Sequence, residues 1–266
     1  MDKKLRGVSF KKWHGQNFLR DPAVAAAAVA AVHLTDISSV MEIGCGDGFL
    51  TAEIMHHPLQ RLWTFEIDSA WAQQVREKIT DNRLTVFTED VMQINWHERL
   101  SQYAPWTLIA NLPYHLTFPI LYQIHAHREL FNELVVMVQE EVAQKLLKQS
   151  GRNYGYTSLF FQHYFDMRLL IKVPPEAFTP APRVYSRLLY IKPREQVVAI
   201  PYEADFWDFI RYCFAQPRRI LRNNLLASKY AYLVHTGGTH WDALRAQQMS
   251  MSDFRSLWGN IVPSYK

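Results

Sequence analysis

Apolar residues between positions 40 and 140 are grouped in short runs, and stretches of helical composition separate these runs. Short apolar runs between such stretches are typical of buried strands. We expect strands at Val40–Ile43, Leu62–Ile67, Leu84–Phe87, Thr107–Ala110 and Leu134–Val138. We expect helices at Thr51–Met55, Ser69–Ile79 and Glu140–Leu147. This alternation predicts an α/β fold with a mostly parallel sheet, right-handed crossovers and helices on both faces.

The pattern changes in the last third of the chain. Two β-rich segments, Met167–Val173 and Val184–Ile191, flank a proline-rich turn and are expected to pair as an antiparallel edge. Two prolines then bracket a polar stretch at Lys192–Pro201. Apolar residues beyond it recur at helical spacing, namely Phe206, Phe209, Ile210, Cys213 and Phe214. We therefore predict an α/β domain at residues 1–195 and a small helical domain at residues 196–266.

Composition narrows the class of protein. The 266 residues are 48% hydrophobic and 20% charged, which allows a sizeable core. The alanine-rich run Val24–Val32 is far shorter than a membrane span and predicts a packed helix, capped by Asp21 with Pro22 in its first turn. Cys45 and Cys213 are too few for a disulfide framework or a zinc site. We expect a cytoplasmic protein without a secretion signal, a membrane span or a metal.

Positive charge is unevenly distributed along the chain. The formal net charge is only +4, and the isoelectric point is near 9.0. Basic residues cluster at Lys3, Lys4, Arg6, Lys11 and Lys12, and again at Arg218, Arg219 and Arg222. Such clusters suit a polyanion, because each cation near a phosphate releases condensed counterions. A solvated surface with clustered charge explains the same pattern, so charge alone does not identify a nucleic-acid partner.

A glycine-rich turn follows the first predicted strand, in Glu42–Gly48. Gly44 and Gly46 belong to a G-x-G-x-G spacing, one residue short of the dinucleotide fingerprint, and such a turn alone is weak evidence. Glu66 ends the second strand about 20 residues later, where a carboxylate accepts hydrogen bonds from ribose hydroxyls. Asp90 ends the third strand, where a carboxylate can accept from an adenine amine. Together these positions predict an adenosine-containing cofactor.

Asn111-Leu112-Pro113-Tyr114 stands directly after the fourth strand. It resembles the N-L-P-Y motif of the adenine N6-methyltransferases of the KsgA/Erm family. The resemblance implies a Rossmann-like class I methyltransferase fold with a small C-terminal helical domain, and S-adenosyl-L-methionine as methyl donor. The Asn111 side-chain oxygen and the carbonyl of Leu112 or Pro113 would accept both amine hydrogens and aim the nitrogen lone pair at the methyl group. Tyr114 would stack on the extruded adenine.

Further segments extend the resemblance over nearly the whole chain. Gly15–Leu19 is similar to the family's N-terminal G-Q-N-F-L element, which closes over the donor. The resemblance assigns donor contacts to Asn17, Leu19, Gly44, Glu66, Asp90 and Asn111, beside Gly46 of the turn. Val173–Val184 is similar to the V-P-P-x-A-F-x-P-x-P-K-V stretch, whose phenylalanine, Phe178, would stack on the other face of the adenine. Arg218–Asn223 resembles R-R-K-x-x-R-N of the KsgA branch.

The chain also departs from the family pattern, at Cys45 and Asp47 in the glycine turn, at His115 and Phe118 after N-L-P-Y, and at Arg183 and Tyr185. The resemblance implies dimethylation of two adjacent adenines in a hairpin near the 3′ end of small-subunit ribosomal RNA, by a monomer. Lys11, Lys12, Arg218, Arg219 and Arg222 are the expected RNA contacts. Two alternatives stay open: an Erm-like enzyme acting on large-subunit RNA, and a ribosome-assembly factor with little catalysis.

Overall fold

Strands and helices alternate through the first two thirds of the chain, as the apolar pattern predicts. The computed structural model describes residues 4–5, 8–9, 17–235 and 240–261. Its strands are β1 (Lys4–Leu5), β2 (Val8–Ser9), β3 (Phe18–Leu19), β4 (Ser39–Ile43), β5 (Arg61–Phe65), β6 (Leu84–Phe87), β7 (Trp106–Asn111), β8 (Phe131–Gln139), β9 (Phe165–Val173), β10 (Phe178–Thr179) and β11 (Ser186–Pro193). Its α-helices are α1 (Pro22–Ala30), α2 (Phe49–Met55), α3 (Ser69–Lys78), α4 (Trp96–Leu100), α5 (Thr117–Ala126), α6 (Glu140–Leu147), α7 (Tyr156–Tyr164), α8 (Glu203–Cys213), α9 (Leu221–Leu226) and α10 (Met251–Ile261).

All five strands expected between positions 40 and 140 are confirmed, with ends that differ by up to three residues. They belong to a seven-stranded sheet in the order β6-β5-β4-β7-β8-β11-β9. The pairs β4–β5, β4–β7, β5–β6 and β7–β8 are parallel. The two β-rich segments form β9 and β11, which are neighbouring strands at one edge of the sheet, and β11 pairs antiparallel with β8.

The strand order reverses between β4 and β7, because the chain builds outward from β4 to β6 and then returns to the other side. At such a switch point the loops after two neighbouring strands leave in opposite directions and open a crevice at the carboxyl ends of the strands. The turn after β4 and the corner after β7 are therefore the two places where the fold itself creates a ligand site.

The central strands of the sheet have continuous apolar sequences because both of their faces are buried. All five residues of β4 are buried, and β7 is buried up to its last residue, Asn111. Helix α1 packs its alanine and valine side chains into a hydrophobic cluster with Val40, Leu62 and Ile109. Asp21 caps this helix by accepting a hydrogen bond of 2.9 Å from the Ala23 N–H, and Pro22 occupies the first turn, as expected.

The chain divides into two compact units, residues 1–143 with 166–193 and residues 144–165 with 194–266. The predicted boundary after residue 195 lies two residues from the division at Pro193, but residues 144–165 do not group with the α/β unit as we expected. The reason is aromatic packing inside the second unit. Trp207 of α8 lies 5.0 Å from Phe160 of α7, between ring centroids, and donates a 2.7 Å hydrogen bond to the Tyr164 hydroxyl.

The second unit contains the helix that its apolar spacing predicts. Phe206, Phe209, Ile210 and Cys213 of α8 are all buried, and Phe214 ends the helix. The Asn224 side chain on α9 donates hydrogen bonds to the Cys213 and Gln216 carbonyls, and thereby ties α9 to the end of α8. In the part of the chain that the structure describes, no helix combines the length and the apolar character that crossing a membrane requires.

Candidate active site

The turn after β4 uses glycine where the backbone requires it. Gly44, Gly46 and Gly48 have φ angles of +74°, +51° and +79°, a region that side chains with a Cβ rarely adopt. A Cβ on Gly46 would lie 2.7 Å from Cε1 of Phe18, so this glycine also allows close packing. A Cβ on Gly44 would meet nothing within 4 Å. The backbone at Gly44 is therefore open to an approaching ligand.

Glu66, at the end of β5, holds this turn. Its two carboxylate oxygens accept hydrogen bonds from the Gly46 N–H and the Asp68 N–H, both at 2.9 Å. Burial raises the pKa of Glu66, while the backbone hydrogen bonds from Asp68 and Gly46 oppose that shift. Each oxygen has a further lone pair, so Glu66 can brace the turn and still accept from a ligand hydroxyl.

Asp90 lies after β6 on the next loop along the same edge of the sheet. Its Oδ1 accepts a 2.9 Å hydrogen bond from the Met92 N–H, which fixes the carboxylate in a local turn. Its other oxygen is the acceptor that this geometry leaves for a ligand.

Asn111 and Leu112 form the corner after β7. The Asn111 Nδ2 donates a 3.0 Å hydrogen bond to the Asn17 carbonyl, so the Oδ1 on the opposite side of the amide is left as an acceptor. The Leu112 N–H donates to the Met137 carbonyl at 3.2 Å and keeps the corner attached to β8. The Pro113 carbonyl accepts from the Leu116 N–H at 2.9 Å, whereas no hydrogen bond to the Leu112 carbonyl is found among the described residues. Of the two carbonyls expected to bind an amine, that of Leu112 is available.

Tyr114 is held by its hydroxyl group. The Tyr114 Oη and the Ser186 Oγ lie 2.7 Å apart and share a hydrogen bond. Burial raises the pKa of Tyr114, so the phenol is neutral at physiological pH. The ring is fixed in orientation, and it lines the crevice.

These segments enclose one crevice with a volume of about 440 Å³. Among the residues that line it are the predicted donor and catalytic positions Asn17, Leu19, Gly44, Gly46, Glu66, Asp90, Asn111, Leu112, Pro113 and Tyr114. The volume lies in the range of ligand and cofactor sites. A buried carboxylate, a second acidic side chain and an open glycine backbone are the groups that an adenosine moiety requires. An adenosine-containing cofactor therefore fits this crevice.

We expected Phe178 to stack on the adenine, but this residue does not line the crevice. Its side chain is 3% exposed and belongs to the hydrophobic cluster that contains Leu19 and Val24. The two-residue strand β10 pairs antiparallel with β3 and places Phe178 opposite Leu19. A ring enclosed in this way has no free face for an adenine. Phe178 instead supports the strand that carries Leu19.

The expected RNA contacts fall in two places. Lys11 and Lys12 lie outside the described residues. Arg218, Arg219 and Arg222 lie in the second unit, and all three are exposed. Their exposure leaves the guanidinium groups accessible to phosphates. Among the described residues, no group of three or more His, Cys, Asp or Glu side chains is arranged to hold a metal.

Several residues at the crevice make contacts that the sequence did not predict. Phe18 packs on Gly46, and Arg20 forms an ion pair of 3.0 Å with Asp47. Cys45 is buried and lines the crevice, and burial raises the pKa of its thiol, so it is an unreactive wall group. Cys45 and Asp47 stand out in the sequence as departures from the family's glycine turn, and Glu42 stands out as an acidic residue inside an otherwise apolar strand. None of these patterns indicated the role of the side chain.

Glu42 lies at the floor of the crevice and is 1% exposed. It accepts a hydrogen bond of 2.7 Å from the Thr51 hydroxyl. Burial raises the pKa of Glu42 to about 8. At neutral pH this carboxyl group is therefore mostly protonated in the folded protein.

Comparison with known proteins agrees with this geometry. A family model described as ribosomal RNA adenine dimethylase matches residues 7–249. Ribosomal RNA small subunit methyltransferase A of Syntrophotalea carbinolica is 34% identical and the match covers 96% of this chain and 98% of that protein. The protein of the same name from Geobacter metallireducens is 32% identical, with 94% and 95% covered.

Two solved structures have a similar fold. A dimethyladenosine transferase from Plasmodium falciparum superposes with a TM-score of 0.78 at 20% identity, over 93% of this chain and 98% of that one. The 23S rRNA methyltransferase ErmE superposes with a TM-score of 0.69 at 20% identity, over 92% and 100%. These likenesses confirm the expected Rossmann-like class I methyltransferase fold.

The raised pKa of Glu42 predicts that the free energy of unfolding depends on pH. We expect Glu42→Gln to remove this dependence. The folded protein retains this proton up to about pH 8, and the unfolded chain loses it near 4.5. The resulting stabilisation is fully present below the unfolded pKa and is lost as the pH rises through the folded pKa. Urea unfolding from about pH 5 to about pH 8 should show Glu42→Gln gaining stability relative to the wild type, by up to about 4 kcal/mol.

Glu129→Gln is the control for this measurement, because Glu129 is an exposed carboxylate outside the crevice. Its stability curve should run parallel to that of the wild type. Parallel curves for Glu42→Gln as well would contradict the protonated state of Glu42.

Proposed function

This chain belongs to the ribosomal RNA adenine dimethylase family, and from that premise we propose that it transfers methyl groups from S-adenosyl-L-methionine to N6 of adenine in small-subunit ribosomal RNA. The proposed product is N6,N6-dimethyladenine at two adjacent positions of a hairpin near the 3′ end. The observation that carries the proposal is the single crevice in which the glycine turn, two acidic side chains and the Asn111 corner come together.

The donor would be held by groups that the turn and its neighbours already orient. Glu66 would accept hydrogen bonds from the ribose hydroxyls with its remaining lone pairs, and Asp90 would accept from the adenine amine. Gly44, Asn17 and Leu19 would form the walls around the rest of the molecule. When bound, S-adenosylmethionine supplies an electrophilic methyl group on a positively charged sulfur.

The acceptor adenine needs its amine nitrogen made nucleophilic, since the lone pair is delocalised into the ring. The Asn111 Oδ1 and the Leu112 carbonyl would accept the two amine hydrogens and draw the nitrogen toward tetrahedral geometry. The neutral ring of Tyr114 would stack on the extruded base. Because the proton leaves after the methyl group has arrived, the residues contribute by positioning and by electrostatics rather than by general base catalysis.

Recognition of the RNA is proposed to involve the second unit. Arg218, Arg219 and Arg222 are exposed, and a guanidinium group binds phosphate with bidentate geometry. Lys11 and Lys12 of the N-terminal segment are proposed to add to this contact. We propose that the chain acts as a monomer, in the cytoplasm where ribosomal subunits are assembled. A hairpin loop suits the crevice, since its bases are partly unstacked before they are extruded.

The proposal is tested by incubating the protein and labelled S-adenosylmethionine with unmodified small subunits, large subunits and naked RNA. We expect label in small-subunit RNA, and mass spectrometry of the nucleosides should identify N6,N6-dimethyladenine at adjacent positions. Label in large-subunit RNA alone would replace the proposal with an Erm-like activity. Tight binding to small subunits without label would indicate an assembly factor.

Asn111→Ala tests the proposed orienting role in the same assay. Removing one preorganised polar group of this kind costs about 100- to 1000-fold in kcat. We expect a loss of that size, while the dissociation constant for S-adenosylhomocysteine, measured by calorimetry, changes much less. Asn82→Ala is the matched control, because Asn82 is exposed and does not line the crevice. Undiminished turnover in Asn111→Ala would remove the orienting role.

A further inference from the structure

Residues Asn17–Arg20, which we call the strap, run along one wall of the crevice just before helix α1. The strap is attached to the body of the α/β unit by short antiparallel pairing. Phe18 and Leu19 of β3 pair with Thr179 and Phe178 of β10, and the Arg20 N–H donates a 2.7 Å hydrogen bond to the Ala177 carbonyl. This pairing is only two residues long, so other contacts must fix the position of the strap.

One end of the strap contacts the corner after β7. The Asn17 carbonyl accepts the 3.0 Å hydrogen bond from the Asn111 Nδ2. This bond determines which way the amide plane of Asn111 faces. A shift of Asn17 would therefore rotate the Asn111 Oδ1, which is the atom proposed to accept an amine hydrogen.

The other end of the strap contacts the glycine turn through an ion pair. The Arg20 Nη1 lies 3.0 Å from the Asp47 Oδ2, and the Asp47 side chain is only 4% exposed. The same Nη1 donates to the Leu19 carbonyl at 2.7 Å. The guanidinium group also lies over the rings of Phe18 and Phe49, at 5.5 and 5.9 Å from their centroids. The ion pair therefore joins the strap to the turn, with the Asp47 side chain shielded from water and the Arg20 side chain 25% exposed.

This ion pair depends on the acidic residue between Gly46 and Gly48 of the turn. Asp47 adds a charge to the glycine turn, and Arg20 neutralises it. A buried carboxylate that loses its partner is costly, because the remaining charge stays desolvated. If either side chain of this ion pair is removed, we therefore expect the strap to move relative to the turn.

We propose that Arg20 and Asp47 are positioning residues that, through the strap, set the orientation of the Asn111 amide. The ion pair fixes the strap against the turn that would hold the donor, and Asn17 transmits this position to the amide that would hold the acceptor amine. The strap thereby connects the proposed donor site with the proposed acceptor site. The consequence for catalysis rests on the proposed function, whereas the fastening of the strap does not.

The first test measures hydrogen–deuterium exchange of a peptide spanning residues 17–20 in the donor-free protein. Asp47→Asn and Arg20→Gln should each speed exchange about tenfold, and the double variant should exchange no faster than either single variant. Asp81→Asn removes the 2.8 Å ion pair to Arg83 outside the crevice and should leave the strap unchanged. Unchanged exchange in both single variants, or fully additive effects, would overturn the proposal.

The second test separates positioning from simple stabilisation. At saturating S-adenosylmethionine, kcat should fall about tenfold in Asp47→Asn and in Arg20→Gln, and Arg20→Lys should recover part of that loss. Wild-type kcat in Asp47→Asn, together with a loosened strap, would overturn the link to Asn111. If the wild-type protein transfers no methyl group to any RNA, the proposed function fails, and the exchange experiment still decides whether the ion pair fastens the strap.

Discussion

The site depends on one interaction, the clamp that the Glu66 carboxylate makes on the backbone. By accepting hydrogen bonds from the Gly46 and Asp68 N–H groups, this side chain joins the turn after β4 to the end of the neighbouring strand β5. The turn needs such a clamp, because three glycines with positive φ have little conformational preference of their own. The parallel sheet brings the two strand ends together, and the hydrogen bonds of Glu66 fix the position of the turn beside the ligand site.

Several carboxyl groups lie close together at this site, and the cost of burying each one is reduced in a different way. Glu42 is uncharged because burial raises its pKa, Glu66 is stabilised by backbone N–H groups, and Asp47 is paired with Arg20. Burying three unpaired carboxylates would destabilise the unit severely. These arrangements allow the crevice to hold several acidic side chains without leaving three buried carboxylates unpaired. The same protonation states and pairings therefore affect both the stability of the unit and the ligand that the crevice can bind.

The sequence was informative wherever local pattern decides structure. The apolar runs predicted the five central strands because those strands are buried on both faces, and the residues after them converge because parallel strands end at one edge. Contacts distant in sequence were not predictable. Nothing near Phe178 indicates its pairing with Leu19, and Arg20 lies 27 positions from Asp47. The grouping of residues 144–165 with the second unit likewise depends on Trp207, which lies far along the chain.

Under the proposed function, the choice of RNA depends on groups outside the crevice. The 23S rRNA methyltransferase ErmE shares this fold, whereas the curated relatives of this chain are named for the small subunit, so the fold alone does not identify the RNA. The groups proposed to orient an amine are the Leu112 carbonyl and the Asn111 amide, and these would recognise any extruded adenine alike. Selectivity then falls to exposed side chains that can read the surrounding RNA. Arg218, Arg219 and Arg222 of the second unit are exposed, and the proposed function assigns this role to them.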